Sequence, residues 1–441
     1  MNNTGKLFDS LKLSDSRPVH QSSHCCLLKG DDVGPYQIKN HLGKGRSANV
    51  WAAESVGSEN VAIKVYRAGS EQLDYYANEV KILNRILERS AEDGYPASIM
   101  GYHGTFVHIE FGKDRLPRLH PCIVFDRGEE SLDDVIRFCK NEFDTGLPIL
   151  AAKKVARDIL LGLAFLHNCN IIHTDIKPEN ILLNQHISDL DASTISAKII
   201  DLGSSTFVDD IFTIEVGTTQ YIAPEVVARI GIEPSADIWS AFAVCYELVT
   251  GDVLFDVFSD CDISYGIDVD GEALCTTDSD SFRSAMESDN SGYDGGSEES
   301  DLSDDNDEET IEDSEETIED SDVSVEGYYN SSDSSGDEEE DAEYERVNYR
   351  HVLLMCKVIG FMPKGYVEPM KDHLDKKGRP KDHPTIVPIQ IYDLLMMNYV
   401  MSAEECASFE KFLLIGLSYT PSARATAIQA LNHQWLILGK K

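Results

Sequence analysis

Apolar residues fall along this 441-residue chain in short runs with distinct periods, separated by polar turns. The run VAIKVY at 61–66 is rich in β-branched side chains and predicts a strand. Within YYANEVKILNRIL at 75–87, Val80, Leu83 and Ile86 recur at three-residue spacing, which predicts a helix with one buried face. LGKGRSANVW at 42–51 places two glycines between extended segments, the pattern of a tight turn joining two strands. AKIID ends an apolar strand on a carboxylate, SADIWSAF predicts a buried helix, and LNHQW closes a final one. From 260 to 345 the pattern stops: aliphatic residues are sparse, and EETIEDS occurs twice in succession at 308–321.

Charge follows the same division. The whole chain carries −40, but residues 260–345 hold 34 Asp or Glu against one basic residue, Arg283, leaving about −7 for the rest. A segment so poor in apolar surface cannot offset its ordering entropy, so disorder is expected there. Three roles stay open for it. It is a solvated spacer, an electrostatic lure for basic proteins, or a pseudosubstrate-like tail competing for a basic-peptide groove, and its serines Ser297, Ser303, Ser314 and Ser335 read as targets of an acid-directed kinase. No signal-peptide pattern and no apolar run of membrane-spanning length is found, so a cytoplasmic or nuclear location and no membrane contact are expected. The ten cysteines lack Cys-x-x-Cys spacing, which suits reduced, partly buried thiols. His20, His24, Cys25 and Cys26 have the chemistry of metal ligands, but no second ligand cluster follows them in sequence.

The densest chemistry lies in IIHTDIKPENILL at 171–183, where Asp175, Lys177 and Asn180 stand at fixed offsets between two apolar runs. Protein kinases place a catalytic base, a phosphate-binding cation and a magnesium ligand at these offsets. Other blocks follow in the order a kinase requires. Leu42, Gly43, Lys44, Gly45 and Val50 form a glycine-rich turn over nucleotide phosphates, with Ala48 where a third glycine is usual. Lys64 is expected to pair with Glu79, and Asp201 in DLG to bind magnesium beside Asn180. GTTQYIAPE supplies Thr218, aimed at Asp175 and Lys177, and Glu225, the expected partner of Arg424. Backbone groups of Asp126 and Gly128 are expected to hold adenine, with Phe125 limiting access behind it.

The chain thus resembles protein kinases, and HTD with Thr174, DLG and TGDVLF resemble the SR-protein kinase family in particular. That resemblance implies an α+β, bilobal kinase fold with a small β-rich lobe and a larger helical lobe. The expected layout is an extension over 1–35, a first lobe over 36–126, a second lobe over 127–259 and 346–441, and the acidic insert at 260–345. It implies ATP and Mg2+ as cofactors and Arg/Ser-rich proteins as substrates, with no nucleic-acid binding and a monomeric enzyme. Glu179 is the residue expected to meet substrate arginine, with Asp209, Asp210 and Glu215 adding acidity. Two departures from the family stand out. Its large insert lies between the lobes, and it carries arginine where this chain has Ile222. A serine/threonine kinase of another group and a scaffold without activity are therefore the competing readings. Most kinases have arginine at Thr174, where it pairs with a phosphorylated activation segment. Its loss predicts activity independent of phosphorylation at Ser204, Ser205, Thr206 or Thr213.

Overall fold

The computed structural model describes residues 25–55, 57, 59–111, 115–210, 217–258 and 337–437. Its first lobe contains β1 Asp32–Val33, β2 Tyr36–Lys44, β3 Ala48–Ser55, β4 Asn60–Tyr66, the helix α1 Ser70–Asp93, β5 Tyr102–Phe111 and β6 Pro117–Asp126. The six strands form one antiparallel sheet in the order β1-β2-β3-β4-β6-β5. The predicted strand 61–66 is β4 and the predicted helix lies inside α1, where Ile82, Leu83 and Ile86 are buried.

The second lobe begins at β7 Glu130–Ser131 and α2 Leu132–Phe143, followed by α3 Ile149–Asn168. Short strands β8 Ile171–Ile172, β9 Ile181–Leu183, β10 Ala197–Ile199 and β11 Thr206–Phe207 then frame the segment with the densest chemistry. Helices α4 Pro224–Val227, α5 Pro234–Thr250, α6 Asp337–Val358, α7 Lys364–Val367, α8 Ile391–Asn398, α9 Ala403–Gly416 and α10 Ala427–Leu431 complete it. Every residue of α5 from Ala236 to Thr250 is buried, which is why its sequence is apolar all round rather than striped. Trp239 of this helix stacks on Phe255 at 5.6 Å and lies under the Arg424 guanidinium at 5.1 Å.

The acidic insert expected over 260–345 falls within the second lobe. Most of it, 259–336, lies outside the described residues, but 337–345 are helical and open α6. Glu345 reaches His373 at 3.3 Å, and the Tyr344 ring lies 6.0 Å from the Arg229 guanidinium. The polar stretch 362–384 is held by contacts of its own. Asp375 pairs with Arg379 at 2.7 Å, Leu374 bridges to Pro380, and the Tyr366 hydroxyl donates to the Tyr419 carbonyl at 2.5 Å.

Candidate active site

Between the lobes, the structure assembles most of the residues singled out above. Lys64, near the end of β4, lies 3.0 Å from Glu79 of α1 and 2.6 Å from Asp201 just past β10. Burial works against a charge on Lys64, but Asp201 and Glu79 overrule it and raise its pKa well above the ordinary value. The same ammonium holds the Asp201 carboxyl down at about 2. Glu79 has a further partner that the sequence did not flag, the buried Tyr66 hydroxyl, which donates to its second oxygen.

The loop after β8 is fixed from below. Asp237, buried in α5, accepts the backbone N–H groups of His173 and Thr174, both at 2.9 Å, and lies 2.8 Å from His167 Nε2. A carboxylate in so apolar a helix is thereby satisfied, and it holds the loop from inside the core. Asp175 then projects into the cleft. It accepts from Thr218 Oγ1 at 2.8 Å and from Asn180 Nδ2 at 3.1 Å, with Lys177 Nζ at 3.5 Å. Because the Asn180 amide nitrogen is engaged with Asp175, its oxygen is the atom available to a cation. With the Asp201 carboxylate it makes an oxygen set of the kind magnesium takes, so these residues fit the ion.

The phosphate turn lies between β2 and β3. Gly43 faces open space, and the Gly45 N–H donates to the Ala48 carbonyl at 2.9 Å. Ala48 is buried at the start of β3, so the methyl that replaces a third glycine packs into the core. Val50 lies in register with both Gly43 and Lys64, Leu42 is exposed, and Lys44 ends β2 at the turn.

The protein kinase domain model matches residues 36–436. The chain belongs to the protein kinase family. Among curated proteins, it is 24% identical to the serine/threonine-protein kinase SRPK of Physarum polycephalum over 99% of this chain and 93% of that protein. It is 30% identical to the serine/threonine-protein kinase AFC1 of Arabidopsis thaliana over 54% of this chain and 52% of that protein. The kinase prp4 of Schizosaccharomyces pombe is 31% identical over 50% of this chain and 42% of its own length. The chain thus spans about half the length of the latter two relatives. A crystal structure of a kinase domain superposes with a TM-score of 0.60 at 20% identity, covering 94% of this chain and 98% of that one. The bilobal kinase fold expected from sequence is the fold observed. Protein kinases generally use ATP and Mg2+, and the sites above fit both.

In this kinase the strand-to-lobe connection runs through Phe125, Asp126 and Gly128. The Asp126 amide donates to Gly101 at 2.9 Å, so its carbonyl is the group it can offer adenine. Its side chain is held by His103 at 2.8 Å and Lys198 at 3.1 Å. At Gly128, an added Cβ would lie 2.7 Å from Leu182, so glycine lets the hinge close onto β9. Phe125 packs against Tyr102 with ring centroids 6.2 Å apart.

Thr174 has φ of 75°, a rare conformation for a β-branched residue, and its hydroxyl donates to the Ser204 carbonyl at 3.0 Å. A neutral hydrogen bond thus ties the catalytic loop to the start of the activation segment. Asn78 of α1 adds a second tie, donating to the Ser205 carbonyl at 2.8 Å. Of the expected modification sites, Ser205 is buried with its hydroxyl donating to His173 O at 3.3 Å, which removes it as an accessible acceptor. Thr213 and Glu215 lie outside the described residues, and Asp210 is already paired with Lys81 at 2.6 Å.

Sequence reading also missed a carboxylate group around Glu179. Glu179 opens to solvent on one side but is crowded by protein on the others, and this desolvation raises its pKa despite Lys177. Glu247, buried in α5, is pushed up to about 8, chiefly by burial, with Asp133 and Glu179 adding to the effect. The Tyr221 hydroxyl donates to Glu247 at 2.7 Å. A lone glutamate inside the apolar run AFAVCYELV was the available signal.

Proposed function

We propose that this kinase transfers phosphate from MgATP to serine or threonine in basic, Arg/Ser-type protein segments, and that it does so without prior phosphorylation of its activation segment. The observation that carries the substrate class is the set Glu179, Glu247 and Asp133 within electrostatic reach of one another and of the loop bearing Asp175. Asp133, itself held by Arg137 at 2.6 Å, adds to the raised pKa of both Glu179 and Glu247, and a guanidinium placed beside Glu179 relieves that repulsion. The names of the SRPK and AFC1 relatives point the same way.

In the proposed mechanism, Asp175 orients the acceptor hydroxyl and takes its proton as the oxygen attacks the γ-phosphorus. Thr218 fixes which Asp175 oxygen faces the acceptor. Lys177 balances the charge on the transferred group, and Lys64, held by Glu79, positions the α- and β-phosphates. When bound between Asn180 and Asp201, Mg2+ neutralises phosphate oxygens. The work is positioning and electrostatics. Activation without phosphorylation is supported by the Thr174–Ser204 bond, an uncharged tie where other kinases have an arginine–phosphate pair.

Ile222 supports a second reading at one subsite. It is half-buried and apolar, so the residue following the acceptor is selected differently than by a family carrying arginine there. A positional-scanning peptide library tests both points. Arginine is expected to dominate near the acceptor, and selection for acidic residues there would overturn the proposal. Phosphatase-treated enzyme should keep its rate within about tenfold, an effect of about 1.4 kcal/mol.

A further inference from the structure

A second cluster of ligand-type side chains lies away from the cleft, where the chain ahead of β1 meets the β5–β6 hairpin. Cys25, Glu110 and His120 bring a sulfur, an oxygen and a nitrogen within 4.8 Å of one another. His120 is 0% exposed, and its Nδ1 lies 2.9 Å from the Tyr66 carbonyl oxygen. A carbonyl only accepts, so Nδ1 carries the hydrogen and Nε2 of the neutral ring carries a lone pair. Neither that Nε2 nor Glu110 Oε2 has a hydrogen-bond partner, and the two face each other at 3.5 Å. The other Glu110 oxygen accepts from the Cys26 amide at 3.1 Å, which fixes the carboxylate.

Two buried acceptors pointed at each other are costly unless something positive lies between them. A proton would make an imidazolium–carboxylate pair, and such pairs close to about 2.7–2.9 Å. The observed separation is longer. It matches the edge of a tetrahedron around an ion bound at about 2.0–2.2 Å, an edge of about 3.4 Å. A sulfur, an imidazole nitrogen and a carboxylate oxygen form a set that suits zinc, not magnesium or calcium. The Nδ1–H bond to a backbone carbonyl is the support a metal-binding imidazole commonly has.

We propose that Cys25, Glu110 and His120 bind a zinc ion, solvent completing the shell, and that the ion clips the segment before β1 to the first-lobe sheet. Cys25 and Leu27 already pack there with Val33, Ile38 and Cys122, so the ion would reinforce an existing contact. It would also reach the nucleotide site through one strand. The carbonyl that orients His120 belongs to Tyr66, whose hydroxyl supports Glu79.

The test uses the full chain, stripped with a chelator and titrated with Co2+ as an optical substitute for zinc. One equivalent should produce a thiolate-to-cobalt charge-transfer band that zinc displaces, and zinc should raise the Tm. Cys25→Ser should abolish the band, and Glu110→Gln should weaken zinc binding at least tenfold with circular dichroism unchanged. Absence of the band in the wild-type chain, or its survival in Cys25→Ser, would overturn the site. Cobalt binding without the band, as carboxylates of the acidic segment would give, counts equally against it. His120→Asn checks the third ligand, and Cys25→Ser and Glu110→Gln decide the matter if that variant does not fold.

Discussion

Two groups of charge lie on either side of the reacting centre, and they are balanced differently. Around Lys64, each charge has its counterpart: Glu79 and Asp201 flank one ammonium, and Tyr66 completes Glu79. Around Glu179, carboxylates face carboxylates, and burial with mutual repulsion raises their pKa values. The first group is held together by ion pairs within the chain, with Asp201 also turned to the metal site. In the second, Arg137 holds Asp133 at 2.6 Å, and a cation from outside would still gain at the exposed Glu179. The contrast separates machinery that must be ready before substrate arrives from a surface that substrate itself finishes.

Breaking the balanced group should have the largest consequence. Lys64→Ala leaves Glu79 buried without its cation, and removing one partner of such a pair costs about 3 kcal/mol or more in stability. Phosphorylation followed by ADP release should fall about 10²–10³-fold, and the Tm should fall with it. An unchanged Tm would mean that Tyr66 alone satisfies Glu79.

Neutralising the unbalanced group should act on substrate and spare the fold. Glu179→Gln is expected to raise the KM for an Arg-containing peptide about tenfold, with kcat and the KM for ATP within about threefold. A kcat loss without a KM change would place Glu179 in the chemistry.

Proton linkage sharpens the same point. The Glu247 pKa near 8 in the folded chain exceeds its ordinary value, chiefly through burial. Its contribution to stability is therefore full below the unfolded pKa of about 4.5 and is lost as pH rises through about 8. Over the same interval the recess becomes more anionic, so the KM for the Arg peptide should drop about threefold or more from pH 6 to 8. Glu247→Gln should flatten that profile.

The smallest effect is expected at the join between the loops. Thr174→Val keeps the branching but removes the donor to Ser204, which costs about 1 kcal/mol, read as a small loss of Tm. A loss of activity beyond about tenfold would show that this bond decides whether the enzyme is on.

Legibility from sequence followed how local each feature is. Lys64 in its strand, Glu79 on its helix and Asp175 with Asn180 in one loop all announce themselves within a few residues. Their joint order implies the lobes that bring them together. Asp133, Glu179 and Glu247 come from separate elements and form a group only when α2, the catalytic loop and α5 pack, so no spacing reveals them. His120 was hidden in the same way, since its relation to Cys25 exists only across strands. The burial of Ser205 has no signal in its polar stretch, since Asn78 and His173, far away in sequence, draw its backbone and hydroxyl inward.

Asp237 carries one last implication. A single carboxylate deep in α5 holds the backbone on which Asp175 is mounted, so the catalytic loop takes its shape from the core of the larger lobe. Heat or mutation that loosens the core should silence the enzyme in step with unfolding.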